Sequence, residues 1–344
     1  MSAHAFPPPV ESAAQEPFPH SATASRAVDP ASPPLVVGLG EAMVLFQPAD
    51  GRSLAECGIA SVHVAGAELN LLAAVRRAGV RAAFCSRVGA DPFGERVLAA
   101  AAELGVETQL VVVDERYPTG LFAKDVREDG VRRVHYYRAG SAASQMGEDD
   151  AGRALSGGPS LVAVSGITAA LGDGPRRAVV RLAELARERG VALAMDPNLR
   201  PGLPPVANVL RKLLPLTRFL VLGLDEAQPL FGTDAPDEVF RRAGEAGVGE
   251  VVLKAGADGC WYDTPSGPRH LASAAVRVVD PVGAGDAFAG AYLAARLRGI
   301  GPRGAARLGT AFAAGVVAAP GDTDGLPAEQ EAGRLVDAAQ QMSS

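Results

Sequence analysis

The sequence has few cysteines and no long apolar run. Cys57, Cys85 and Cys260 are widely spaced and form neither a metal-binding pattern nor a disulfide framework, which is typical of a reducing compartment. No apolar stretch approaches the length needed to span a bilayer. The formal net charge of −6 gives no electrostatic reason to expect nucleic acid as a partner. We therefore expect a cytoplasmic protein that binds neither membranes nor nucleic acids.

The common glycine-rich nucleotide motifs are also missing. A P-loop needs Gly-Lys followed by Ser or Thr, but none of the few lysines follows a glycine (Lys124, Lys212 and Lys254). A dinucleotide fingerprint needs a further glycine three residues after Gly285, where Phe288 stands. A nicotinamide-linked oxidoreductase is therefore the activity least favoured by the sequence. Any nucleotide phosphate must be held without a P-loop lysine.

The most informative stretch is Asp-Pro-Val-Gly-Ala-Gly-Asp at residues 280–286, followed by an apolar run with helical spacing. Glycines let a ligand approach the main chain, and the first amides of a helix are unpaired at the positive end of its dipole. Such a helix start is a receptor for phosphate, and Asp286 at its mouth can accept a proton from a hydroxyl. The stretch indicates phosphoryl transfer, whereas an N-cap Asp with turn glycines is the purely structural alternative.

A second motif, Ala-Gly-Ala-Glu-Leu-Asn at residues 65–70, opens a predicted helix over residues 66–77. In this order, the two motifs resemble the two signatures of the PfkB, or ribokinase-like, carbohydrate kinases. The Pro-Val variant of the second signature is similar to that of 2-keto-3-deoxygluconate kinases, and the resemblance extends from about Leu35 to Pro327. It implies a ribokinase-like three-layer α/β/α fold with a mostly parallel central sheet and a small β-sheet lid.

The strand and helix patterns agree with that fold, because short apolar strands alternate with helices along most of the chain. Residues 1–33 are rich in Ala, Pro and Ser and are predicted to be a disordered extension without a secretory signal. A sugar kinase domain is predicted over residues 34–343. Its lid would come from about residues 43–64 and 111–138, with a hairpin turn at Glu128–Gly130. Such lids exclude water during phosphoryl transfer.

The resemblance also implies roles around the phosphate. Asp286 would be the general base, and the amides of Gly283, Ala284 and Gly285 would stabilise the transferring group. ATP and Mg²⁺ would be required. The family's Asn-x-x-Glu motif is replaced here by Gly-Leu-Asp-Glu at residues 223–226. The asparagine of the motif is missing, so the resemblance implies only an indirect role near the metal for its glutamate, Glu226. The implied nucleotide contacts are Glu226, Lys254, Gly256, Gly259, Gly283, Gly285 and Thr310.

A sugar or sugar acid is the phosphate acceptor that the resemblance implies. Two arginines among the implied contacts suit a carboxylate, which favours 2-keto-3-deoxygluconate. One departure is that a phenylalanine replaces a tyrosine found in several such kinases. The alternatives are a fructokinase-like or other hexose kinase, or a non-catalytic sugar-binding relative. The resemblance also implies that two chains pair through the lid. The implied sugar contacts are Gly66, Asn70, Phe122, Tyr136, Arg138 and Arg200.

Overall fold

The computed structural model describes residues 33–49, 52–126, 132–200, 202–275 and 277–342. Apart from residue 33, the predicted extension lies outside these ranges, as does the predicted turn Glu128–Gly130. The strands of the described residues are β1 (Leu35–Leu39), β2 (Met43–Pro48), β3 (Ala60–Ala65), β4 (Arg81–Gly89), β5 (Val111–Asp114), β6 (Leu121–Val126), β7 (Arg132–Tyr137), β8 (Leu161–Ser165), β9 (Ala192–Asp196), β10 (Phe219–Gly223), β11 (Glu250–Lys254), β12 (Cys260–Tyr262) and β13 (Arg269–Leu271).

The α-helices of the described residues pack mainly around one large sheet. They are α1 (Ala67–Arg77), α2 (Pro92–Glu103), α3 (Glu148–Ala154), α4 (Gly166–Ala170), α5 (Asp173–Glu188), α6 (Ala207–Leu213), α7 (Leu224–Phe231), α8 (Pro236–Glu245), α9 (Ala284–Leu297), α10 (Pro302–Val317) and α11 (Glu329–Gln341). None of these helices combines the length and apolarity that crossing a membrane requires.

Within the described residues, the large sheet has the strand order β13-β12-β11-β10-β9-β8-β1-β4-β5. The strands from β11 to β5 are parallel, and β12 and β13 add an antiparallel edge. From β1 the chain builds outward to β4 and β5, and it then returns to β8 on the other side of β1. The carboxyl ends of β1 and β8 therefore form a topological switch point, which is where such sheets bind ligands.

Helices cover both faces of this sheet, so the predicted three-layer architecture is confirmed. Successive strand residues alternate between two hydrophobic cores: Val36 packs in the core that includes α1, α9 and α10, and Val37 in the core that includes α5. This alternation follows from the period of two residues in a strand. Because both faces are buried, the strands are almost continuously apolar, as expected of a parallel sheet.

A separate small sheet has the order β3-β2-β6-β7 and supplies the lid-like element. The pairs β2–β3 and β6–β7 are antiparallel, and β2 pairs with β6 in parallel. The predicted boundary at residue 111 needs correction, because Val111–Asp114 pairs with β4 at the edge of the large sheet. The second segment joins the small sheet only at Leu121, where β6 begins to pair with β2.

Helix α9, which follows the glycine motif, is buried on every side. All residues from Asp286 to Ala295 are buried, which explains why the helix is apolar all round instead of amphipathic. It packs against α1 and α10, and Gly290 permits the close approach to α1. A Cβ at Gly290 would lie 2.8 Å from the Ala74 Cβ. The helix start is thus placed at the centre of the fold.

Candidate active site

Polar side chains converge at the carboxyl ends of the central strands. Asp196 ends β9, Lys254 ends β11, Glu226 lies in the first turn of α7, and Asp286 lies in the first turn of α9. We call these four residues the Lys254 cluster. They come from distant parts of the chain, and the parallel sheet brings them to one edge. Such an edge is the expected ligand-binding side of an open α/β sheet.

Asp286 is 8 % exposed and is held by two amides. Asn70 Nδ2 donates to its Oδ2 at 2.9 Å, and Asn198 Nδ2 donates to its Oδ1 at 3.3 Å. Burial raises the pKa of Asp286 to about 7; Asp196 adds to the rise, while Asn70 and the nearby cations oppose it. A carboxyl with a pKa near neutrality is a better proton acceptor than an ordinary Asp and is still largely ionised above pH 7.

The start of α9 has the geometry of an anion receptor. Gly283 has φ 81°, and a Cβ there would lie 2.8 Å from the Asp322 Cα, so the turn requires glycine. Within the described residues, the amides of Gly285 and Asp286 have no hydrogen-bond partner. The Nζ of Lys254 lies 3.4 Å from where a Cβ of Gly285 would be. The two amides, the helix dipole and the Lys254 ammonium group would thus all attract an anion bound at the start of α9.

Lys254 is balanced by two carboxylates. Its Nζ donates to Asp196 Oδ2 at 2.6 Å. Burial disfavours its charge, but Asp196 and Glu226 hold the pKa of Lys254 above its usual range. Glu226 in turn accepts from the amides of Gly223 at 2.6 Å and Leu199 at 2.8 Å, which ties the loop after β9 to the start of α7. Burial, and then Asp196, raise the pKa of Glu226.

The charges of the Lys254 cluster suit a divalent cation that arrives with a nucleotide. Three carboxylates surround one ammonium, and Asp196 raises the pKa of both Glu226 and Asp286. An added cation would relieve this repulsion. Among the described residues, no group of three or more His, Cys, Asp or Glu side chains is arranged to enclose a metal. Both Glu226 oxygens accept main-chain amides, and the indirect role of Glu226 near Mg²⁺ stays a prediction.

The remaining predicted nucleotide contacts lie near β11 and in α10. Gly256 has φ 55° and open space around it, and Gly259 has φ 96° in the turn between β11 and β12. Thr310 is buried in α10, where its hydroxyl donates to the Ala306 carbonyl at 2.7 Å and lies 4.0 Å from Cys260 Sγ. The hydroxyl of Thr310 therefore already has an acceptor in its own helix, and the nucleotide roles of these residues stay predictions.

The predicted sugar contacts at the start of α1 and on the small sheet have the following surroundings. Gly66 precedes α1, and a Cβ there would lie 2.9 Å from the Ala42 Cα. Asn70 is buried, and its Oδ1 has no partner among the described residues, so an acceptor oxygen stands ready for a hydroxyl. Phe122 and Tyr136 stack with ring centroids 5.8 Å apart. All four residues were predicted as sugar contacts.

The two predicted arginines differ in their surroundings. Arg138 forms an ion pair with the buried Glu41, to which Ser141 Oγ also donates at 2.6 Å. The guanidinium of Arg138 is thus largely neutralised within the protein. Arg200 is exposed and has no ion-pair partner among the described residues. It lines a cavity together with Asn198, and its charge lowers the pKa of Asp286.

Several residues of the site were not among the predicted ones. Asp196 and Asn198 follow β9, and Asn198 is unusual in having φ 41° without being glycine. Their position after a buried strand was a usable signal, because ligands bind at strand carboxyl ends. Asp280 belongs to the 280–286 stretch singled out in the sequence, but its ion pair with Lys124 of the small sheet, and that of Asp322 with the same lysine, were not predicted. No local pattern indicated those pairs, because they join segments far apart in the chain.

A parallel sheet with a small covering sheet, and a buried carboxylate at a glycine-opened helix start, define a sugar phosphotransferase of ribokinase-like fold. The comparison with known families agrees with this class. The chain belongs to the pfkB family of carbohydrate kinases, whose family model matches residues 34–329.

Relatives of this chain include two 2-dehydro-3-deoxygluconokinases. That of Thermoproteus tenax is 36 % identical over 310 residues, covering 88 % of this chain and 94 % of the relative. That of Bacillus subtilis is 32 % identical over 301 residues, covering 86 % of this chain and 93 % of the relative. Fructokinase-1 of Zea mays is 32 % identical over 265 residues, covering 75 % of this chain and 82 % of the relative.

Solved structures show the same architecture. A PfkB protein from Polaromonas is 31 % identical with a TM-score of 0.76, covering 87 % of this chain and 99 % of its own. A ribokinase-like protein from E. coli, solved in complex with ATP and Mg²⁺, is 24 % identical with a TM-score of 0.80. It covers 89 % of this chain and 99 % of its own. These likenesses show that the chain shares the fold of these structures.

The raised pKa of Asp286 gives a pH prediction. Only the ionised carboxylate can accept a proton, so kcat/KM should rise with pH through about 7 and then level off. Steady-state rates from pH 5.5 to 8.5 would measure this rise, the acidic limb of the pH–rate profile. Asn70→Ala removes a bond that favours the ionised form and should move the limb to higher pH. A limb that stays in place in this variant would assign the titration to ATP and not to Asp286.

Proposed function

We propose that this carbohydrate kinase transfers the γ-phosphate of ATP to a hydroxyl of 2-keto-3-deoxygluconate. The observation that carries the proposal is the exposed guanidinium of Arg200, which lacks an ion-pair partner among the described residues and lies near Asp286. A free arginine beside the base is suited to the carboxylate of a sugar acid, which it can bind through two hydrogen bonds. The relatives that are 36 % and 32 % identical carry the name of this activity.

In this proposal Asp286 accepts the proton of the attacking hydroxyl. An Asp carboxylate is a weak base even with its raised pKa, so proton transfer is late and catalysis depends mainly on positioning and charge. The free amides of Gly285 and Asp286 and the ammonium of Lys254 stabilise the phosphoryl oxygens. Bound Mg²⁺ would supply positive charge to the phosphates, and Glu226 and Asp196 would hold it through water.

The sugar acid would lie between α1 and the small sheet. Asn70 offers its unpaired Oδ1 to a sugar hydroxyl, and the stacked rings of Phe122 and Tyr136 cover the sugar's apolar face. Arg200 binds the carboxylate. Arg138, because Glu41 neutralises it, contributes hydrogen bonds more than net charge. Arg200 therefore provides most of the proposed selectivity for a sugar acid over a neutral sugar.

Fructokinase-like activity is the second candidate. The Glu41–Arg138 ion pair favours it, because a site with one neutralised arginine also accepts a neutral ketohexose. Phe122 favours it too, since it lacks the hydroxyl of the tyrosine that several 2-keto-3-deoxygluconate kinases have at this position. The maize relative carries the fructokinase name.

Arg200→Met tests the choice. If Arg200 binds a carboxylate, kcat/KM for 2-keto-3-deoxygluconate should fall by roughly 30- to 150-fold, the value of a charge-assisted hydrogen bond pair of about 2–3 kcal/mol. A coupled ADP assay over 2-keto-3-deoxygluconate, gluconate, fructose and ribose would measure it. The matched control is Arg177→Met, which removes an exposed arginine from α5. Wild-type preference for fructose or ribose over both acids would defeat the substrate proposal.

Compartment and assembly are further parts of the proposal. The three cysteines are unpaired, which suits a reducing cytoplasm supplied with ATP. Strand β7 exposes Val134, Tyr136 and Tyr137, and we propose that two chains pair along this part of the small sheet. Light scattering of the wild type and of Tyr137→Lys would measure the pairing. A monomeric wild type would contradict it.

A further inference from the structure

One lysine of the small sheet reaches the phosphate-binding loop. Lys124 lies on β6, and its Nζ is 3.2 Å from Asp280 Oδ2 and 3.3 Å from Asp322 Oδ1. The lysine side chain is 12 % exposed, and the side chains of the two acids are 8 % and 6 % exposed. Asp280 opens the motif that ends at Asp286, and Asp322 follows α10. Three separate segments therefore meet at a single, mostly desolvated ammonium group.

Polar contacts continue from this ammonium to the catalytic base. The second oxygen of Asp322, Oδ2, accepts from Asn70 Nδ2 at 3.4 Å, and the same Nδ2 donates to Asp286 Oδ2 at 2.9 Å. The main chain of Asp322 also lies against Gly283, where the anion receptor begins. A shift of Asp322 would therefore act on both the base and the turn that carries the free amides.

We propose that Lys124 is a positioning residue of the phosphoryl transfer. It holds the small sheet against the loop and neutralises Asp280 and Asp322, which would otherwise repel each other beside the site. Through Asp322 and Asn70 it keeps Asp286 directed towards the acceptor hydroxyl. Lys124 touches neither the sugar nor the base itself. The proposal rests on carbohydrate kinase activity and not on which sugar is used.

Closure of the small sheet also determines whether the sugar hydroxyl or water attacks the γ-phosphate. When the sheet is held down, water is excluded and the sugar hydroxyl is the nucleophile in reach. Without the ammonium, the buried carboxylates of Asp280 and Asp322 would lose the cation that they share, and the small sheet would lose its ion pairs with the loop, which favours an open sheet. ATP would then be hydrolysed more often relative to transfer, because water replaces the sugar hydroxyl as the attacking group. This uncoupling is a property that general loss of stability would not produce.

Lys124→Met and Lys124→Arg test the proposal. In Lys124→Met, kcat should fall on the order of 10²-fold, as expected when reacting groups are misplaced by about 1 Å, and KM for ATP should change much less. The ratio of ADP formed to sugar phosphate formed should rise above that of the wild type. Lys124→Arg retains the charge and reach and should restore most of kcat. The assay should be run separately with 2-keto-3-deoxygluconate and with fructose as the acceptor.

The controls separate positioning from folding and from substrate choice. Arg133→Met removes an exposed cation from β7 of the same sheet and should leave kcat unchanged. If Lys124→Met does not fold, Asp322→Asn breaks the same contact from the other side and should show the same uncoupling. Because Lys124 touches no sugar, its effect should be equal for both acceptors. Failure of the sugar-acid proposal would appear instead as a wild type that uses only fructose.

Two results would overturn the proposal. The first is a Lys124→Met enzyme with kcat within about twofold of the wild type and an unchanged ratio of ADP to sugar phosphate. The second is a Lys124→Arg enzyme that is as slow as Lys124→Met and melts at the same lowered temperature. That result would make the contact a purely structural ion pair. Non-additive losses in the double variant with Asp322→Asn would support the coupling.

Discussion

Asp286→Asn should lower kcat by roughly 10²- to 10⁴-fold, the usual contribution of a general base, and leave ATP bound. The substitution preserves the size of the side chain but removes its negative charge and its ability to accept a proton. Asn70, the nearer donor, can still donate to the amide oxygen, whereas Asn198 would have to turn its own amide oxygen towards the new NH2 group. Single-turnover assays would measure the loss, and isothermal titration would measure nucleotide binding. Turnover equal to that of the wild type would remove Asp286 from the mechanism.

The same variant should be more stable than the wild type at alkaline pH. The pKa of Asp286 is raised by burial from 3.8 to about 7 in the folded protein, so its carboxyl holds a proton there that the unfolded chain releases. The cost of ionising it in the folded state therefore grows as pH rises from about 4 and is complete above about 7. The melting temperature of Asp286→Asn should exceed that of the wild type at pH 8, and the difference should vanish near pH 4.

Asp237→Asn is the matched control for both measurements. Asp237 also lies in the first turn of a helix, α8, but it is exposed and remote from the cluster of buried acids. Its replacement changes the charge at a helix start without changing the site. This control should keep full kcat and should not raise the melting temperature at pH 8. A gain in stability in both variants would show that the helix start, and not the buried base, is responsible.

Gly283→Ala should cost on the order of 10²-fold in kcat/KM, the effect expected when reacting groups shift by about 1 Å. Its φ of 81° is unfavourable for alanine, and the new Cβ would overlap the main chain of Asp322. The turn must move, so the amides of Gly285 and Asp286 would no longer point at the transferring phosphate. Steady-state kinetics and a thermal melt of the same preparation would measure both consequences.

The other end of the same helix offers the control. Gly299, just beyond α9, has φ 79°, and a Cβ there would meet nothing within 4 Å. Gly299→Ala should therefore lose about 1–2 kcal/mol of stability from the left-handed backbone alone. Its activity should be that of the wild type. Equal kinetic losses in the two variants would show that backbone strain, and not the position of the amides, explains the Gly283 effect.

Much of the fold follows from local patterns in the sequence. The apolar runs of β1, β8 and β11 predict buried strands, because parallel strands covered on both faces need almost no polar residues. The glycine pair before α9 predicts an anion receptor. Among the described residues, the amides of Gly285 and Asp286 have no partner, whereas the predicted amide of Ala284 donates to the Pro281 carbonyl at 3.4 Å. Short or strongly polar helices such as α3 and α8 were not predicted, since their apolar residues are few.

What the sequence does not predict depends on contacts between distant residues. The predicted lid boundary at about residue 111 falls at the start of β5, and only the pairing of β5 with β4 shows that this strand belongs to the large sheet. Arg138 was expected to face a substrate carboxylate, but Glu41, far away in the chain, neutralises it. The contacts of Lys124 with Asp280 and Asp322 are of the same kind. Such ion pairs appear only once the sheets have been brought together.

The burial of α9 fixes the position of the residues at its start, whereas the small sheet is not enclosed in this way. A helix enclosed by tightly packed neighbours cannot rotate or translate without opening cavities on every side. The amides and carboxylate at its start are therefore set during folding, before any nucleotide arrives. We therefore expect the admission and release of ligands to be accommodated by movement of the small sheet.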